Sequence, residues 1–174
     1  AFVVLSMQND SGCLTADKVN DFMRWAINEY DVDITRIYLS GYSCGGGGVW
    51  NYIGKYISDD LVAAAVPVAA LMGEYTWNRL GCNMGIIPIW AFHGDEDYVT
   101  VRNANIPIDG LNNCTNECPE DTDLEICSVP LDARKTIFRG WGHGIWPITY
   151  KLDSRWGHDI YAWMLSHINS DAKL

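Results

Sequence analysis

The sequence predicts an α/β domain, with a mostly parallel central sheet and helices on both of its faces. Three observations predict it. Short apolar runs, each too brief for a helix, recur along the 174 residues. Several segments between them repeat apolar residues at helical spacing, and residues able to do chemistry collect just after the runs. Strands alternating with helices build a parallel sheet that must be covered on both sides. In such sheets ligands gather beyond the carboxyl ends of the strands. The length suits one domain over residues 1–174 and is short for two.

The elements follow in order. Phe2–Leu5 (FVVL) is β-branched and aromatic, which predicts a buried strand. Thr15 is placed to cap a helix, with Asp17 in its first turn. Val19, Phe22, Met23, Ala26, Ile27 and Tyr30 then mark one apolar helical face. Asp31 to Asp33 breaks that helix, and Ile34–Leu39 is the next strand. After a turn of small residues, Gly45–Gly48 open a helix that continues over Val49–Ile57. Leu61–Ala70 (LVAAAVPVAA) is a buried strand with Pro67 near its end. Residues Met72–Gly85 read as irregular and hold Trp77 and Cys82. Ile86–Phe92 (IIPIWAF) is a further strand, Val99–Leu111 is partly helical, and Lys135–Phe138 (KTIF) is a last short strand. Between these lies Asn112–Pro130, a polar loop of unusual length for a compact domain. An amphipathic helix over Trp156–Ile168 closes the chain.

Composition narrows the function classes. Hydrophobic residues at 48% with 20% charged residues describe a globular chain. A net charge of −10 argues against nucleic acid and against anionic membranes as partners. No apolar run reaches the roughly 18 residues of a membrane span. The six cysteines form no C-x-x-C pair, so a zinc ribbon is not expected. Their even number, with Cys114, Cys118 and Cys127 in one loop, predicts disulfides and an oxidising, extracellular or periplasmic compartment. The pairing is not readable from the spacing. Glu120, Asp121, Asp123 and Glu125 alternate as in a calcium loop but lack its glycine and terminal glutamate, so they read as a solvated loop. No metal or cofactor is expected.

The most informative stretch is Gly41-Tyr42-Ser43-Cys44-Gly45, which matches G-x-S-x-G. A serine hydroxyl is a weak nucleophile unless a base reaches it, so it must project from a sharp turn above the sheet edge. Side chains two residues to either side would collide in that turn, which predicts glycine at both Gly41 and Gly45. Each glycine inside a helix costs about 1 kcal/mol relative to alanine, so the run Gly45–Gly48 calls for a special turn or a close approach.

GYSCGG after RIYLS, HGDEDYVTV after IPIWAF and GWGHGIW after KTIF together resemble the α/β-hydrolases. The resemblance is strongest to secreted esterases and polyhydroxybutyrate-depolymerase-like proteins, a branch whose members are also described as peptidases or phospholipase/carboxylesterases. It implies an α/β-hydrolase fold and a serine esterase with Ser43 as nucleophile, His143 as general base and Asp97 as the acid orienting it. Asp97 closes H-G-x-x-D, and Asp95 is its competitor. The Cys44 backbone N–H is the expected oxyanion donor. Cys44 itself reads as a small buried residue, with a disulfide to Cys82 as the alternative. Tyr42, Trp141 and Trp146 are candidates for the wall of a substrate pocket, the tryptophans equally readable as plain core. His93 is expected to make structural hydrogen bonds beneath the acid loop, and His158 and His167 to be packed or solvated on the last helix.

The pattern departs from the family in one place. Only 42 residues precede Ser43, and Phe2–Leu5 matches the family's fourth strand. The third strand, which lies between the fourth and the one leading to the serine, is not found, nor is its loop carrying the other oxyanion donor. The expectation is a C-terminal portion of a catalytic domain, completed by an upstream segment or a second chain. The implied substrate is an ester: small molecule, polysaccharide ester or polyester. A serine peptidase on the same fold and a non-catalytic binding protein are the alternatives.

Overall fold

The computed structural model describes residues 2–59, 61–114, 132–151 and 156–172. Its sheet has four strands, β1 (Tyr38–Tyr42), β2 (Ala64–Val68), β3 (Ile89–Gly94) and β4 (Ala133–Phe138), in that spatial order. All three neighbouring pairs are parallel. The helices are α1 (Ala16–Glu29), α2 (Cys44–Tyr56), α3 (Gly73–Leu80), α4 (Arg102–Asn112), α5 (Trp146–Thr149) and α6 (Ile160–Leu165). Among the described residues no helix is long and apolar enough to cross a membrane.

Successive strand residues point to opposite faces, and this divides the interior into two cores. Ala65, Ile89 and Ala91 face one side, where Met23 of α1, Trp50 and Ile53 of α2 and Ile108 of α4 cover them. Ala64, Val66, Val68, Phe92 and Phe138 face the other, under Ile148 of α5 and Trp163 of α6. Side chains of this size contribute about 1.5–3 kcal/mol each when fully buried. β2 is buried at every position, as a central parallel strand must be.

Pro67 lies in the middle of β2. Ala65 and Ala69 both donate their N–H groups toward β3, to Pro88 and Phe92 carbonyls. Alternation therefore turns position 67 the same way, where proline has no N–H to give. The register with β1 runs unbroken through Pro67, whereas the pairing with β3 is recorded only at Ala65 and Val68.

Several boundaries differ from the sequence reading. Phe2–Leu5 is not a buried strand: Val3 and Val4 are 77% and 80% exposed, and only the Phe2 ring packs, against Tyr38 and Tyr161. Apolar composition makes a strand only where a neighbour supplies hydrogen-bond partners, and β1 does not pair with this stretch. The predicted strand Ile34–Leu39 begins instead as a 3-10 turn, Ile34–Arg36, because Asp33 accepts from the Thr35 N–H. Residues 72–85 are not irregular. They form α3, tied to α2 by Thr76 donating to the Trp50 carbonyl and Arg79 to the Gly54 carbonyl, followed by a 3-10 helix. The last helix is shorter than expected, since Asp159 caps it by accepting from the Tyr161 and Ala162 N–H groups. Thr15 caps α1 as expected, accepting from the Lys18 N–H. Most of the long polar loop, with Cys118, Cys127 and the acidic run, lies outside the described residues.

Candidate active site

β1 leads straight into Ser43, whose φ of 56° and ψ of −116° are sparsely populated for a residue with a side chain. Such a conformation costs roughly 1–3 kcal/mol and persists only where its surroundings hold it. Here the Ser43 N–H donates to the Val68 carbonyl at 2.8 Å, and its own carbonyl accepts from Gly47 at 2.9 Å. Gly41 is required by contact: a Cβ there would lie 2.3 Å from the Gly45 carbonyl carbon. Gly45 is not required in that way, because a Cβ at Gly45 would meet nothing within 4 Å. The steric demand passes instead to Gly46, where a Cβ would meet Ala70 at 2.6 Å and the Gly41 carbonyl oxygen at 2.8 Å. α2 starts at Cys44, with the glycine run inside its first turns as the sequence suggests.

Asp97 follows β3, and its carboxylate is wholly buried. It accepts from the Val99 N–H at 2.8 Å, and both its oxygens lie 2.9 Å from Nδ1 of His143. His143 sits in the turn after β4, with Nε2 2.8 Å from the Ser43 hydroxyl oxygen. A carboxylate can only accept, so Nδ1 carries the proton and Nε2 is left to accept from Ser43. Serine, imidazole and carboxylate thus form one hydrogen-bonded line, each arriving from beyond a different strand end.

His93, on β3, supports that line from below. Its Nε2 lies 2.8 Å from the Val99 carbonyl and 3.2 Å from Asp97. Facing two acceptors, this nitrogen bears the proton, and burial pushes the imidazole below its ordinary pKa. Asp95 does something else. It accepts from the Gly140 N–H at 2.7 Å and pairs with Arg139 at 3.3 Å, bracing the loop that carries His143. The Glu96 N–H bonds the Trp141 carbonyl at 3.0 Å, fastening the acid and histidine loops to each other.

The remaining expected residues fall as follows. Tyr42 packs its ring on His143 at 4.9 Å between centroids and donates its hydroxyl to the His143 carbonyl. Cys44 opens α2, where the first N–H groups have no acceptor within the helix. Its sulfur is bonded to Cys13, not Cys82, which pairs with Cys114. Trp141 and Trp146 are 38% and 52% exposed, and Trp141 packs against Phe138 and Trp156. The ring that joins Tyr42 on His143 is Tyr98, with centroids 4.4 Å apart. Sequence reasoning missed Tyr98; its place directly after Asp97 was the available signal. His158 is buried, with Nε2 3.1 Å from the Ile148 carbonyl, and His167 packs on Trp163. Among the described residues no group of three or more His, Cys, Asp or Glu is arranged to hold a metal ion.

Comparison with known proteins places this geometry in context. No protein-family model matches the chain. Feruloyl esterase B of Piromyces equi is 28% identical over 140 residues, covering 67% of this chain and 26% of that protein. Among solved structures, the esterase PE8 aligns with a TM-score of 0.52 and 18% identity over 75% of this chain and 53% of its own. SOBER1 of Arabidopsis thaliana gives 0.55 and 14% over 87% of this chain and 61% of its own. The acylaminoacyl peptidase of Pyrococcus horikoshii gives 0.56 and 15%, over 88% and 27%. The chain thus spans about half the length of PE8 and about a quarter of the feruloyl esterase. What these structures share with it is the fold.

Proposed function

We infer that this chain, an α/β-hydrolase by fold, carries the nucleophile, base and acid of a serine hydrolase that cleaves carboxylic esters. The single observation that carries the reading is the hydrogen-bonded line from Ser43 through His143 to Asp97. Ser43 Oγ attacks the ester carbonyl carbon while His143 Nε2 takes its proton. Asp97 holds the Nδ1 proton and stabilises the imidazolium so formed. The Cys44 N–H donates to the carbonyl oxygen as it gains negative charge, and such a donor is worth roughly 3–4 kcal/mol in the transition state. Collapse expels the alkoxide, which receives the proton from Nε2 and leaves as the alcohol. Water, deprotonated by the same nitrogen, then releases the acyl group as an acid.

A second oxyanion donor belongs, on this reading, to a segment outside residues 1–174 that completes the catalytic domain. Support comes from the share of each solved relative that the chain spans. The substrate is an ester: a small molecule, a polysaccharide ester or a polyester. Two disulfides among the described residues support an oxidising, extracellular or periplasmic site of action.

A fluorophosphonate probe is expected to label the protein at Ser43, with labelling lost in Ser43→Ala. Labelling that survives this substitution refutes the assignment, and none on the wild type favours a binding role on a hydrolase scaffold. The likeness to an acylaminoacyl peptidase keeps amide cleavage as a second reading. A matched panel of ester and amide substrates separates the two, and an amide-only profile overturns the esterase reading.

A further inference from the structure

We propose that Tyr98 is a specificity-determining residue that contacts the alcohol half of the ester. The proposal rests on the ester-hydrolase reading and names which half of the substrate this part of the site selects.

The local backbone explains why residue 98 faces out. Asp97 is turned inward, with its carboxylate buried and accepting from the Val99 N–H at 2.8 Å. Val99 is turned inward too, only 8% exposed, with its carbonyl 2.8 Å from His93 Nε2. The residue between two inward-pinned neighbours must point away from the core. Such positions on turns ordinarily carry small or polar residues. Here the position holds a tyrosine that is 82% exposed, so most of the residue is still available for contact. The ring is nonetheless placed, 4.4 Å from the His143 ring between centroids and tilted by 44°.

The chemistry at His143 fixes what comes near that ring. Nε2 first receives the Ser43 proton across 2.8 Å and then gives it to the departing alkoxide. The alkoxide oxygen must therefore come within hydrogen-bond reach of Nε2. The alcohol half consequently lies against the imidazole, whereas the acyl half extends from the carbonyl carbon bonded to Ser43. Tyr42 also packs on His143, but its hydroxyl is committed to the His143 carbonyl and its ring is half-buried. Tyr98 is the ring there with free apolar surface. It suits an alcohol presenting a flat or cyclic apolar face, and offers little to methanol.

The test measures kcat/KM for two ester series on wild type, Tyr98→Ala and Tyr98→Phe. In one series the acyl group is fixed as acetyl and the alcohol is methyl or benzyl. In the other the alcohol is fixed as methyl and the acyl chain is acetyl or hexanoyl. Tyr98→Ala is expected to lower the ratio of kcat/KM for benzyl acetate to that for methyl acetate about tenfold, mainly through KM. Tyr98→Phe, which keeps the ring face, should behave as wild type. An equal loss on both acetates means a structural role and overturns the proposal, as does a loss that follows the acyl chain. A wild-type protein that cleaves no ester overturns the underlying reading as well. An active wild type with an alcohol-independent Tyr98→Ala effect overturns this inference alone.

Discussion

His93 does not touch Ser43, yet it supports Asp97 from below. Its proton is shared between the Val99 carbonyl and Asp97, and burial holds the ring neutral by lowering its pKa from the ordinary 6.5. The unfolded chain therefore takes up a second ring proton more readily than the folded one. The stabilising contribution is complete above about 6.5 and is lost as pH falls below it. Wild-type stability, followed by urea unfolding, should thus fall more steeply between neutral and mildly acidic pH than that of His93→Gln. Parallel pH profiles for the two proteins would exclude His93 as the group responsible. At this scale the sequence is readable where chemistry is local. Ser43, Asp97 and His143 stand out because each sits in a short motif directly after an apolar run. Asp97 is preferred over Asp95 only through the H-G-x-x-D pattern; the structure adds the physical reason, since one carboxylate faces the imidazole and the other the Gly140 N–H.

Among the elements, α2 depends most on its surroundings. Its N-terminus carries the proposed oxyanion donor, and the helix is anchored to the segment before α1 in two ways. Cys13 is bonded to Cys44, and Asn51 donates its side-chain N–H to the Leu14 carbonyl at 3.0 Å. Replacing both cysteines by alanine removes a cross-link across 31 residues, a loss typically worth about 2–4 kcal/mol. Thermal unfolding should show a lower Tm, and kcat should fall more than KM rises, because the donor acts on the transition state. Unchanged Tm and kcat would mean that Asn51 and the packing alone suffice. The sequence places the start of α2 at the glycine run even though glycine is a poor helix former by propensity. Tertiary contact reverses that preference: at Gly46, a larger residue would collide with Ala70. The Cys13–Cys44 pairing is illegible, since spacing says nothing about which loops the fold brings together.

For the whole molecule, the alternation of apolar runs and helical spacing is enough to read a parallel sheet covered on both faces. Phe2–Leu5 shows the limit of that reading. Composition reports how apolar a stretch is, not whether it joins the sheet, and here Val3 and Val4 remain in solvent. The Cys13–Cys44 bond also gives the molecule a covalent topology. Residues 13–44 form a closed ring that holds α1, β1 and Ser43. A single proteolytic nick between residues 14 and 43 therefore separates nothing. The two pieces should migrate as one band on a denaturing gel without reductant and as two with it. One band in both lanes of the nicked protein, or two in both, contradicts the ring. The ring thus keeps Ser43 tethered to both sides of any single cut within it.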